Sequence, residues 1–322
     1  MRSTDDLAGW LLLDLNRWAV TVGVLGALFA VVVVVGALDP VPLRTAVAND
    51  DPIETLFQAL LTAIVTGVTL VVAINQLVLS QELGAVGDQR ERMRGATDFR
   101  DDVSRVVEAP ASPADPAAFL RAIVEATGDR AATLGASADA TTDDRARHAV
   151  EAYAGDLRDL ADETSADLEG ARFGTFAVLR AALGFGYGPR LHEARRLRDA
   201  HGDGLDDATS DALDDVIEAL VLFGPAREHI KTLYFQWELI DLSRSVLYAA
   251  VPALAVAASM ILFGSDTGSV TGTLLGVDAL VWVVAGATAV GLLPFALLFA
   301  SILRIATVAK RTLAIGPFVL RD

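Results

Sequence analysis

Seven polar side chains recur along one apolar stretch of this 322-residue chain: Thr55, Gln58, Thr62, Thr66, Thr69, Gln76 and Ser80, within "TLFQALLTAIVTGVTLVVAINQLVLS", residues 55–80. At about 100° per residue they fall in an arc of roughly 80°, with Ala73 filling the one gap. Hydroxyl and amide oxygens arranged this way can replace part of an ion's water shell, so Gln58, Thr62, Thr66, Thr69 and Gln76 are the candidate lining of a hydrated pathway. A helix-packing face is the alternative, because hydroxyl residues let backbones approach closely and Thr can bond back to its own helix. Gln58, Gln76 and the off-stripe Asn75 favour water, since an amide in lipid leaves several groups unsatisfied.

Other chemistry is thinner. "DAHGDGLDDATS" places Asp199, Asp203 and Asp207 at the first, fifth and ninth positions of a calcium-loop template. His201 and Ser210 stand where an Asp or Asn and a bidentate Glu belong, so calcium is a weak candidate and an Asp-rich loop the plainer reading. His148, His192, His201 and His229 show no metal-ligand spacing. The Gly-Tyr-Gly of "LGFGYGP", 183–189, resembles a potassium-channel filter in three letters only. No Thr-rich element precedes it, and a Gly-rich helix end before Pro189 is expected instead. With no Cys, phosphate loop, dinucleotide fingerprint or nucleophile elbow, the sequence implies neither an enzyme nor a cofactor.

Composition sets the surroundings of the stripe. Hydrophobic residues make up 53% of the chain, yet its formal net charge is −16, as in a membrane protein with an acidic soluble part. Between residues 96 and 225 there are 26 acidic and 13 basic residues, a net of −13, which leaves −3 for the rest. A surface this negative argues against nucleic acid as a partner, because no basic patch exists to replace phosphate counterions. The Asp-rich composition, with Lys231 and Lys310 as the only lysines, resembles that of extreme halophilic archaea, where hydrated carboxylates keep surfaces soluble in molar salt.

Four stretches meet the length of about 20 apolar residues needed to cross a bilayer. They are Trp18 to Leu38, Thr55 to Leu79, Val246 to Phe263, and Val277 to about Ile305, with a kink expected near Pro294. They group as two hairpins. Arg90, Arg92 and Arg94 follow the second span, Arg227, Lys231 and Arg244 precede the third, and Lys310 and Arg311 follow the fourth. The two short connections instead carry Asp39, Asp50, Asp51, Glu54, Asp266 and Asp278 against Arg44 alone. The positive-inside rule then puts both termini and the middle region in the cytoplasm of a multi-pass cell-membrane protein.

The acidic head "MRSTDDLAGWLLLDLNRW" lacks a cleavage-site pattern and reads as a short interfacial helix with Leu7, Trp10, Leu11 and Trp18 near one face. The middle region reads as helical, interrupted at "PASPADP" and at "GASADATTDD", with Ala149, Tyr153, Leu157, Leu160 and Leu168 near one stripe. No useful strand pattern occurs. The second span is expected to continue through Arg94, although Gly84 and Gly87 soften it. A helix ends at Gly224, and Pro225 opens a new one that runs as a cytoplasmic stalk into the third span.

The expected fold is therefore all-α, an integral membrane protein with four transmembrane helices in two hairpins and an inserted cytoplasmic helical domain. Its divisions are 1–95 (interfacial helix and first hairpin), 96–225 (acidic domain) and 226–322 (stalk and second hairpin). This layout resembles the architecture of bestrophin-type chloride channels, and no residue role is carried over. Proton-coupled transporters need an ionisable group near mid-depth, and none lies there. The expected function is a homo-oligomeric ion channel or passive conduit lined by the second-helix stripe, with membrane lipids, inorganic ions and further copies as partners. The alternative is a membrane-anchored signalling or scaffolding protein whose cytoplasmic helices bind a partner.

Overall fold

The computed structural model describes residues 17–38, 43–264 and 270–311. The interfacial helix expected over the first residues, and Asp39 and Asp266, lie outside them. Ten helices account for nearly all of the described residues: α1 (Arg17–Leu38), α2 (Leu43–Asp50), α3 (Pro52–Glu82), α4 (Val86–Val106), α5 (Pro116–Ser137), α6 (Asp144–Leu168), α7 (Phe176–Gly184), α8 (Tyr187–His201), α9 (Asp207–Phe263) and α10 (Ala279–Arg311). Local chemistry sets several starts. Asp51, Asp115 and Asp143 each accept a backbone N–H of the first turn, and Pro52 and Pro116 occupy the opening position, where no N–H is required.

Four helices, α1, α3, α9 and α10, are long and apolar enough to cross a membrane. The chain divides into two units, one from Met1–Leu83 and Glu238–Val308, the other from Gly84–Trp237 and Ala309–Asp322.

In the first unit three clusters run along one face of α3. Ile53, Phe57 and Leu60 pack with Ala257, Leu280 and Val284; Ile64 with Ala250 and Ala253; Val71 with Leu242, Val246, Ala249 and Leu297. Ascending numbers on α3 therefore meet descending numbers on α9 and ascending ones on α10. Small residues let these helices approach. A Cβ on Gly67 would sit 3.2 Å from the Phe295 ring, and one on Gly36 of α1 would sit 2.7 Å from Val281. Helix α1 otherwise buries only Thr21 and turns Val22, Leu28, Val31, Val34 and Val35 outward, as suits a helix surrounded by lipid.

The second unit has its own core. Helices α5 and α6 approach closely where a Cβ on Gly128 would meet Ala161 at 3.1 Å. Leu120, Ile123, Leu134, Leu157, Leu213 and Phe223 are fully buried around them. The expected α6 stripe forms, with Tyr153, Leu157 and Leu168 buried and Ala149 and Leu160 packed against them.

Three local expectations need correction, and one further element, α2, has no expectation attached to it. Helix α9 runs unbroken through Gly224 and Pro225. Pro225 is exposed, and so is Val221, whose carbonyl loses its helical partner there; water can replace that bond, which lowers the penalty of an internal proline. Helix α3 does not continue to Arg94: it stops at Glu82, Leu83 is extended, and α4 starts at Val86, as the backbone entropy of Gly84 and Gly87 favours. A short helix, α2, fills part of the first connection. Two short strands, β1 (Thr273–Leu274) and β2 (Val277–Asp278), form a hairpin across Leu275 and Gly276, both at positive φ.

Candidate functional site

Helix α3 carries two opposite faces. The buried residues Ile53, Phe57, Leu60, Ile64 and Val71 centre about 180° from the polar stripe at 100° per residue. Thr55, Gln58, Thr62, Thr66, Thr69, Ala73, Gln76 and Ser80 are all exposed. The stripe is thus not the face by which α3 packs on the other described helices. Asn75, off the stripe, is half-buried.

The hydrogen bonds give the stripe a polarity. Thr62 donates to the Gln58 carbonyl at 3.0 Å, Thr66 to the Thr62 carbonyl at 2.8 Å, and Thr69 to the Val65 carbonyl at 2.9 Å. The Gln58 amide nitrogen donates to the Glu54 carboxylate at 2.7 Å, which turns its carbonyl oxygen away. With their protons used inside the helix, the three threonines present lone pairs outward. Asp51 and Glu54 add carboxylates at one end.

At that same end an ion pair ties the first connection to the start of α10. Arg44 Nε lies 2.6 Å from Asp278 Oδ2 and Nη2 lies 2.8 Å from Oδ1, while Nη2 also donates to the Val270 carbonyl. Trp282 donates from Nε1 to the Leu274 carbonyl at 3.1 Å. The Arg44 hydrogen bond holds the Asp278 carboxyl below its ordinary value, and the same bond raises Arg44. A depressed carboxyl contributes stability that is present above its ordinary pKa and lost as pH falls through the lowered value. The fluorescence of Trp282, kept as the only tryptophan, is therefore expected to be constant at neutral pH and to change below about pH 4. Arg44→Gln should produce the changed signal at neutral pH. Identical traces for both proteins would refute the tie.

The other end of the unit holds charges that sequence reasoning missed. Glu238 is buried, with Arg304 Nε 3.8 Å from its Oε1, and Arg17 pairs with Asp241. The signal was available: Glu238 continues the buried run Leu242, Val246, Ala249, Ala253, Ala257 at helical spacing. A carboxylate in phase with an apolar stripe demands a cation.

The calcium candidates do not share a loop. Asp199 lies inside α8, Gly202–Gly204 form a 3-10 turn that includes Asp203, and Asp207 opens α9. Among the described residues no cluster of three or more His, Asp or Glu is placed to hold a metal. The Gly-Tyr-Gly segment joins α7 to α8, with Gly186 at positive φ.

A family profile described as a family of unknown function, DUF7972, matches residues 2–322. The chain belongs to that family. No curated protein and no solved structure matches it. For this DUF7972 member the functional reading rests on the stripe itself.

Proposed function

We propose that the chain is the subunit of a homo-oligomeric passive ion conduit, with the α3 stripes of several copies turned toward a common axis. The observation that carries this is the exposed polar stripe opposite the face by which α3 packs on α9 and α10. A polar stripe turned to lipid gains nothing, whereas copies around an axis give it water. Outward lone pairs, with Asp51 and Glu54 at one mouth, suit cations over chloride. The spanning stretches carry no ionisable group at mid-depth, which favours passive flow over proton coupling. In this proposal α1 with α3 and α9 with α10 form two hairpins, and residues 96–225 and both termini are cytoplasmic, following the arginine contrast between the two ends.

The test is one preparation read in three ways. The purified protein should be an oligomer by size-exclusion with light scattering. In liposomes it should pass potassium or sodium faster than chloride. A Cys placed at the exposed Asp139, in a chain with no other, should react with an impermeant reagent only after cells are opened. A monomer, or no flux under varied ions and voltage, rules the conduit out and leaves a membrane-anchored scaffold. Labelling of intact cells reverses the topology.

A further inference from the structure

The first half of α4 buries no side chain among the described residues. Every residue from Leu83 to Asp98 is exposed, and Val86 and Met93 are 81% and 74% accessible. At 100° per residue, Val86, Gln89, Arg90, Met93, Arg94 and Thr97 share an arc of about 140°, whereas Asp88, Glu91 and Asp98 fall together outside it. The six line one shallow depression together with Asp98. The arc thus carries two arginines and two large apolar side chains, while the acids and Arg92 lie off it.

We propose that this face docks on the surface of an anionic bilayer, Arg90 and Arg94 meeting headgroup phosphates while Val86 and Met93 enter the boundary below them. Charge complementarity argues for it, because an arc that holds two arginines and no acid stands out in a chain of net charge −16, even with Asp98 beside it. The apolar pair also separates a bilayer from a free anion: a small phosphate leaves Val86 and Met93 in water, whereas a lipid surface removes them from it. Position agrees, since α4 starts at Val86, a few residues after α3 ends at Glu82. The inference stands apart from the conduit, because a scaffold anchored by the same four helices would dock α4 identically.

The experiment uses the full chain in liposomes, with a fluorophore on a single introduced Cys. Gln89→Cys reports the arginine face and Glu91→Cys the acidic one. Nitroxide-bearing lipids should quench the probe at 89 severalfold more than at 91 in phosphatidylglycerol-containing vesicles, and less so in pure phosphatidylcholine. Each arginine near an anionic surface is worth roughly fivefold in partition, so Arg90→Gln with Arg94→Gln should shift the docked-to-free ratio by roughly 25-fold and bring quenching at 89 down to that at 91. Both arginines are exposed, and an unchanged elution volume verifies that the variant folds. Equal quenching at the two positions overturns the proposal, as does quenching at 89 indifferent to lipid charge or to the arginines. Self-quenching that tracks the protein-to-lipid ratio would assign the face to a second copy and overturn it equally.

Discussion

Thr66→Leu is expected to cut cation flux through reconstituted liposomes by about 10- to 100-fold while the oligomer elutes unchanged. Thr66 stands mid-way along the stripe, exposed, with its proton committed to the Thr62 carbonyl. The substitution removes an outward oxygen and adds apolar bulk, which favours dewetting at mid-depth. A hydrogen bond to a charged group is worth about 1.5–3 kcal/mol, and each 1.4 kcal/mol of added barrier is about tenfold in rate. Because Thr66 lies opposite Ile64 and Phe57, the leucine touches no core residue of its own chain. If the stripe were instead a contact between copies, overpacking would cost about 1–3 kcal/mol and the oligomer would weaken first. An intact oligomer with parental flux would end the conduit reading.

Phe223→Ala should lower the melting temperature of the full-length protein more than any surface change. The ring is fully buried, with its centroid 4.6 Å from Phe185 and 5.8 Å from Tyr187. Deleting a buried Phe costs about 3–5 kcal/mol, and a domain of this size shifts by about 2–4 °C per kcal/mol, so a drop on the order of 10 °C is expected. The adjacent Gly224 decides whether helix propensity or packing governs this turn. Propensity predicts that Gly224→Ala stabilises by about 1 kcal/mol. Packing predicts the reverse, because the new Cβ would lie 3.0 Å from the Tyr187 hydroxyl and 3.1 Å from its ring, and Arg227 stacks on that ring at 4.8 Å. The Ala variant should therefore melt below the parent. Thermal scans followed by circular dichroism settle the order, and a Gly224→Ala protein more stable than the parent would show that Tyr187 yields.

How much of this was readable beforehand depends on whether the signal was local. The four apolar stretches were, because about 20 residues without a charge have few other fates. The stripe was, because helical phase follows from spacing alone; which way it faced was not, since that depends on residues such as Ala253 and Leu280, far away in the chain. Gly224-Pro225 misled because the rule that proline ends a helix assumes no compensation, and Pro225 is placed where its lost bond faces water. The β1–β2 hairpin was too short for any alternation to show. Glu238 drew no expectation, because its buried setting shows only through the buried residues in phase with it.

The tie between Arg44 and Asp278 spans 234 positions of sequence, and that separation has a meaning in time. A ribosome adding about 5–20 residues per second needs roughly 10–50 s between them. For most of that interval the inward face of α3 has neither α9 nor α10 to receive it. In water such a face would invite aggregation, but acyl chains are as apolar as leucine, so a helix long and apolar enough to cross a bilayer can wait there at little cost. The short strand β2, made just before α10, then supplies the carboxylate that fastens the first connection, so a single ion pair joins an early segment of the chain to the threshold of its last described helix.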